Sequence, residues 1–430
     1  MKILVIHVVK QGDTVYKIAR EHGTTERRII EDNAIKNPRD LVIGQALIVQ
    51  TPKTIYTVKA GDTPTSIAIA FGVTPMTLLQ NNPELIGQPY LRVGQNLVIE
   101  FEGEKRGDIK INAYAYPHIN RNTLIHTLPY LTYLTIFSYG FKENGELTTI
   151  DDQPLINLAY QYETAPVMMI STITEDGGFS GDHATALFNS EAAQDRLLDN
   201  IISTMQQKGY LGLDVDFEYL KPSDREAYQR FLEKVTQKLH PYGYFVNVAL
   251  APKVSANQQG LLYEAHDYKA IGAIADTVLI MTYEWGYTYG PPMAVAPLDQ
   301  VRRVVSYAVS EIPPQKIFLG MPNYGYDWAL PYERGVTVAT TIGNERAIEI
   351  AMQHGVPVRF DETAQSPYFE YYSSDGKKHI VWFEDVRSIK GKLDLIDEFS
   401  LLGAGYWNAM RPFTQNWALV NALYDITKVV

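Results

Sequence analysis

Two textures of hydrophobic and polar positions divide the chain. Through residue 100 the apolar positions are sparse and come in short bursts, two of which run into a polar Gly-Asp-Thr turn. Val9-Lys10-Gln11-Gly12-Asp13-Thr14 returns as Val58-Lys59-Ala60-Gly61-Asp62-Thr63. Ile18-Ala19 returns as Ile67-Ala68, Asn33 as Asn82, and Gly44-Gln45 as Gly94-Gln95 after a one-residue slip. A repeat of this length is one supersecondary unit used twice. Each copy reads as strand, capped helix, polar loop, second helix, Gly-Gln turn and strand, with Asp13 or Thr14 placed to cap the first helix. Such a βααβ unit buries little core and suits recognition better than catalysis.

From about residue 107 short β-rich apolar runs alternate with longer segments of helical period, the pattern of βα units around a parallel sheet. Strands are expected at Lys110–Tyr116, Thr132–Tyr139, Val167–Thr174, Leu211–Glu218, Phe245–Ala251, Thr277–Tyr283, Ile317–Pro322 and Gly403–Trp407. Eight strands over this length predict an α/β fold, a (β/α)8 TIM barrel. The long gap between strands seven and eight holds a helical run, Ala347–His354, and short strands at Pro357–Phe360, Tyr368–Tyr372 and Ile380–Phe383, the last two joined by a Ser374-Asp375-Gly376 hairpin turn. The expected organisation is therefore a first repeat over 1–50, a second over 51–104, and a barrel over 105–430 with a small α+β insertion at about 325–390.

Composition narrows the chemistry. The 430 residues include no cysteine, which excludes disulfides, thiolate-bound metals and a thiol nucleophile. The net charge of -11 argues against nucleic acid as a partner. Residues 1–100 carry a balance of +2, leaving -13 on the rest, so the two parts have different tasks. No apolar run approaches 18 residues, and Ile3–Val9 is too short for a signal-peptide core. The expectation is a protein that does not enter membranes, is not exported by the Sec route, and works as a monomer. The nine histidines show no HExxH spacing, and no P-loop or strand-borne GxGxxG occurs, so neither metal nor cofactor is expected.

The chemistry-bearing segment is Gly212-Leu213-Asp214-Val215-Asp216-Phe217-Glu218-Tyr219. Three acids with period two share one face of a strand, opposite Leu213, Val215 and Phe217. Crowded carboxylates raise one another's pKa and keep a proton near neutrality, as a general acid requires. Glu218 falls at the strand's C-terminal end, where barrel active sites lie. A solvated edge strand or a divalent-cation site are the competing readings.

The repeats resemble LysM domains, which bind N-acetylglucosamine-containing glycans such as peptidoglycan. The acidic strand resembles the DxxDxDxE signature of family 18 glycoside hydrolases, with Leu211 in place of its first Asp. Met281-Thr282-Tyr283-Glu284-Trp285 resembles that family's Met-x-Tyr-Asp-Trp segment with Glu284 for Asp, and Gly405-Tyr406-Trp407 resembles the segment supplying its tryptophan floor. The runs Lys221–Tyr228, Glu264–Tyr268 and His379–Asp385 narrow this to spore cortex-lytic N-acetylglucosaminidases of endospore-forming bacteria. The resemblance implies substrate-assisted retaining catalysis, with Glu218 as acid/base, Asp216 on the acetamido group, Asp214 behind it, and Tyr283 donating its hydroxyl. It implies substrate contacts from Trp407 and Trp285. Asn323, Tyr324 and Glu384 are further candidates for the cleft. It also implies a spore location and peptidoglycan as partner. A chitinase, or a silent glycan-binding coat protein on the same scaffold, remain the alternatives; silent members usually lack the acid, and position 218 keeps it.

Overall fold

The computed structural model describes residues 4–88, 90–173 and 178–430. Ile3 of the first apolar run and Thr174 of the expected third strand lie outside the described residues. Among the described residues, eight parallel strands close into a barrel: Asp108–Ala115, Tyr133–Tyr139, Ala165–Ser171, Gly212–Asp216, Phe245–Leu250, Thr277–Ile280, Ile317–Pro322 and Gly403–Trp407. Strand eight pairs with strand one, Gly405 opposite Asn112, so no edge is left open. Helices cover the outside. Leu213, Val215 and Phe217 point into that outer core, whereas Tyr114, Phe137, Met169, Leu279 and Phe318 fill the interior. The strand-four acids therefore face inward, as the period-two pattern requires.

The insertion is a five-stranded antiparallel sheet with a helix at Asn344–Gln353. Its expected strands appear at Arg359–Asp361, Ser366–Tyr372 and Lys378–Trp382, and Gly376 closes the hairpin with its N–H on Ser373. Two further strands, Gly325–Ala329 and Thr340–Ile342, escape the sequence pattern because one opens on Gly325 and carries Asp327, both poor strand formers, and the other is only three residues long.

Both repeats fold as βααβ: Leu4–Val8, Val15–His22, Glu26–Asp32 and Ala46–Gln50, then Pro52–Thr57, Pro64–Phe71, Pro75–Asn81 and Asn96–Phe101. Thr14 and Thr63 are the helix caps, accepting the N–H groups of Lys17 and Ser66. Asp13 and Asp62 instead close the preceding turns by accepting the N–H groups of Lys10 and Lys59. The repeated asparagine clamps each module. Asn33 exchanges two hydrogen bonds with the backbone of Ile48, and Asn82 does the same with Val98. No helix among the described residues is long and apolar enough to cross a membrane.

Neither module hangs free. In module one Leu47 and Val49 face the module's own core, while Ala46 and Ile48 join the core of the barrel. Gln415, on the last helix (Thr414–Leu423), donates to Asn33 at 2.7 Å and to the Ala46 carbonyl at 2.8 Å. Module two docks through Met76 and Ile86, with Gln80 donating to the Pro129 carbonyl at 2.7 Å and accepting Tyr130 OH at its own carbonyl. The modules are joined to each other by buried Arg28, which pairs with Asp32 and donates to the Asn81 carbonyl at 3.0 Å.

The Gly-Gln turns allow a direct check of this docking. Gly44 has φ +82 and a Cβ there would lie 1.9 Å from the Val358 carbonyl oxygen of the insertion; Gly94, at φ +84, has nothing within 4 Å. Alanine at either site costs about 1 kcal/mol of backbone strain. Only Gly44→Ala adds a clash, worth about 1–3 kcal/mol more. Chemical unfolding of the two variants should show Gly44→Ala clearly the less stable; equal losses would mean that module one does not seat on the insertion.

Candidate active site

At the C-terminal mouth of the barrel lies a cleft of about 820 Å³. Asp216, Glu218, Tyr283, Glu284, Trp285 and Trp407 all line it. The sequence order of the strands is what assembles them: strand four brings the acids, the segment after strand six brings Tyr283 to Trp285, and strand eight ends in Trp407.

The acids form a graded series into the barrel. Asp214 is fully buried and satisfied, accepting Tyr114 OH at 2.6 Å and Asn247 Nδ2 at 2.8 Å. Asn247 is itself fixed by the Thr277 hydroxyl at 2.8 Å. Burial pushes the Asp214 carboxyl up to about 6, although its two donors pull the other way. Asp216 is buried too, and its Oδ1 has no hydrogen-bond partner among the described residues. Burial first, then the charges of Glu218 and Asp214, hold its carboxyl well above the usual range. Glu218 is half-buried at the strand's end, and burial together with the charge of Glu284 raises it to about 7. Three interacting carboxyls of this kind exchange protons as a set, so their titration belongs to the group.

His266 sets the backbone under Glu218. Its Nδ1 accepts the N–H of Ala251 at 2.9 Å, so the ring proton sits on Nε2 and is donated to the Phe217 carbonyl at 3.1 Å. Burial lowers this imidazole to about 4, and it stays neutral. Tyr219 follows at φ 56, turning the chain out of the strand immediately after the acid. Trp407 forms one wall, its ring 5.2 Å from Phe137 and 5.7 Å from Tyr114. Glu284 is held by the hydroxyls of Tyr324 and Tyr326; withdrawal from water raises its carboxyl, against the pull of those two donors.

Three candidates from the sequence are not brought to this cleft. Asn323 is buried and donates to the carbonyls of Asn408 and Arg411 at 2.8 and 2.9 Å, pinning the segment behind Trp407. Tyr324 is buried and reaches the cleft only through Glu284. Glu384 is fully buried in an ion pair with Lys392 at 2.8 Å and borders the hollow between module one and the insertion. Position on a loop after a strand did not reveal which way these side chains turn. Conversely, Tyr114 and Asn247, which satisfy Asp214, went unread. Tyr114 and Tyr116 carry a faint signal, period-two aromatics at the mouth end of strand one.

Comparison with known proteins agrees with this geometry. The family description "Glycosyl hydrolases family 18" matches residues 110–411, and "LysM domain" matches 7–50 and 56–100. The chain is 43% identical to the cortical fragment-lytic enzyme of Bacillus subtilis, over 98% of this chain and 99% of that protein. It superposes on the spore cortex-lytic enzyme SleL of Bacillus cereus with a TM-score of 0.85 at 40% identity, covering 99% of both chains. A chitinase of Chromobacterium violaceum matches at TM-score 0.68 and 25% identity, over 73% of this chain and 98% of that one. With its closed barrel, its strand-four acids and its paired N-terminal modules, the chain belongs to family 18 of the glycosyl hydrolases and carries two LysM domains.

Proposed function

We propose that the chain hydrolyses N-acetylglucosamine linkages in spore cortex peptidoglycan, with retention, using the substrate's own acetamido group as nucleophile. The observation that carries this reading is the buried Oδ1 of Asp216 on the cleft floor, unpartnered among the described residues. An orphaned carboxylate oxygen is costly unless a ligand supplies a donor, and an acetamido N–H is such a donor. The cortex as substrate is supported by the full-length relatives whose names state that activity. The same likeness supports a spore location and peptidoglycan as the ligand of the LysM domains.

In this mechanism Glu218 gives its proton to the leaving glycosidic oxygen as the acetamido oxygen attacks the anomeric carbon. Family 18 departs in this way from the two-carboxylate retaining scheme. Asp216 accepts the acetamido N–H and faces the positive charge of the oxazolinium ion. Asp214, held by Tyr114 and Asn247, buffers the charge on Asp216. Water then enters on the side that the leaving group vacated, loses its proton to Glu218 and attacks the anomeric carbon, displacing the acetamido oxygen, so that the configuration is retained. Tyr283 is buried beside these acids and its phenol is held well above its usual range, first by burial and then by the charge of Asp216, so it remains a donor. Trp407 and Trp285 offer apolar walls that strengthen these polar contacts by excluding water.

Hydrolysis of purified cortex fragments against chitin oligomers tests the substrate: preference for chitin would make the chain a chitinase, and no turnover on either would make it a silent binder. Glu218→Gln should keep the fold and lose about 10²–10⁴ in turnover; a variant keeping a tenth of wild-type activity removes Glu218 from its role.

The pH profile follows from the same electrostatics. The acid form of Glu218 is required, and its carboxyl is raised to about 7, so kcat/KM should fall as pH climbs past that value. Glu284→Gln removes a neighbouring negative charge, which makes ionisation of Glu218 easier. The alkaline limb of the variant should move to lower pH; an unchanged limb would mean that another group sets it.

A further inference from the structure

Module one carries a cluster for which the glycosidase chemistry has no use. His7 on its first strand and His22 at the end of its first helix present ring nitrogens to each other, His7 Nδ1 to His22 Nε2 at 3.4 Å. The Glu21 carboxylate lies 3.9 Å from His22 Nε2, and one ligand atom from each of the three residues fits within 4.8 Å. Bonds of about 2.0–2.1 Å to a tetrahedral ion place neighbouring ligand atoms about 3.4 Å apart. The two imidazole nitrogens already have that separation.

The surroundings are those of a metal-binding imidazole. His7 Nε2 is bonded to Asp13 Oδ2 at 2.9 Å, and Asp13 is held in turn by the Lys10 N–H at 2.8 Å. A carboxylate on the far ring nitrogen fixes the tautomer that leaves Nδ1 with a free lone pair. Both histidine side chains are largely buried, at 13% and 18% exposure, while Glu21 is exposed at 66% and free to swing in. Module two supplies the contrast. At the repeat offset, His7, Glu21 and His22 become Tyr56, Ala70 and Phe71. Tyr56 keeps the bond to its own turn aspartate, Asp62, at 2.8 Å, and its ring meets Phe71 edge-on at 5.3 Å, much as His7 meets His22 at 5.6 Å. The fold is thus satisfied by an aromatic pair at this spot, and module one replaces that pair by nitrogen donors and adds a carboxylate.

We propose that His7 Nδ1, His22 Nε2 and the Glu21 carboxylate bind one zinc ion, with Asp13 as the residue that positions His7 and the fourth place open to water or another oxygen donor. Nitrogen and oxygen donors in a tetrahedral array suit Zn²⁺ and exclude Mg²⁺ and Ca²⁺, which prefer more oxygens. The ion would tie the first strand to the end of the first helix in a small module that has no cysteine for a disulfide. His7 and His22 stand fifteen positions apart, which fits no short ligand motif, and the histidine spacing alone therefore does not point to a metal.

The test uses the full chain freed of metal with a chelator. Co²⁺ titrated into it should give the intense visible bands of tetrahedral cobalt at one equivalent, and Zn²⁺ should abolish them. His7→Tyr with His22→Phe copies the pair that module two already folds around, so it should keep its metal-free unfolding midpoint yet lose the cobalt bands and bind Zn²⁺ at least about 100-fold more weakly. Glu21→Ala, at an exposed side chain, should weaken Zn²⁺ by about 10-fold or more. Absence of tetrahedral bands in the wild-type chain, or undiminished binding by the double variant, overturns the site.

Discussion

Withdrawing carboxylates from water is the constraint around which the barrel is arranged. Each ionised carboxylate inside a closed sheet needs donors, or it must keep its proton. Strand four sends Asp214 and Asp216 inward and Glu218 to the rim, and the neighbouring strands answer unequally. Asp214 receives Tyr114 from strand one and Asn247 from strand five, and Thr277 on strand six holds that asparagine. Asp216 receives no donor on one oxygen among the described residues. That inequality divides the strand into a satisfied inner acid, a buried acid with one oxygen unpartnered among the described residues, and an outer acid at the rim whose carboxyl is raised to about 7. The outward residues Leu213, Val215 and Phe217 carry the cost by anchoring the strand in the helix-covered core.

The same logic of two-faced strands explains the N-terminal half. Ala46–Gln50 is buried on both faces, one closing its own module and the other the barrel's last helix. Module two solves the problem differently, with its helical side against Pro129 and Tyr130. Two copies of one motif thus attach by different surfaces, because only their internal contacts repeat.

How much of this was legible in the sequence depends on how local the signal is. The barrel strands were readable because a buried parallel strand is a short apolar run, and the acidic strand because its alternation is uninterrupted. The repeats were readable because Asn33 and Asn82 do the same work at the same spacing. What failed was side-chain direction on loops. Asn323 and Glu384 follow strands yet turn away from the cleft, one to bind carbonyls and the other to meet Lys392, eight residues further on. Tyr114 and Asn247 were silent because their partner, Asp214, lies far off in sequence and beside them only after the barrel closes.

The connections between the parts are short and pinned. Thr51 alone separates the strands of the two modules, and beyond Phe101 the chain is fastened at once by Glu102 to Thr51 and by Arg106 to Leu423. Flexible tethers let a catalytic head sweep a volume around its anchor, with an effective concentration set by tether length. Here there is no slack to sweep with. Whatever the modules hold, the cleft meets the surrounding polymer at one offset and one angle, like a blade fixed to a ruler. Any shift of the cleft relative to what the modules hold must then move the modules with it, because the joints give the barrel no independent reach.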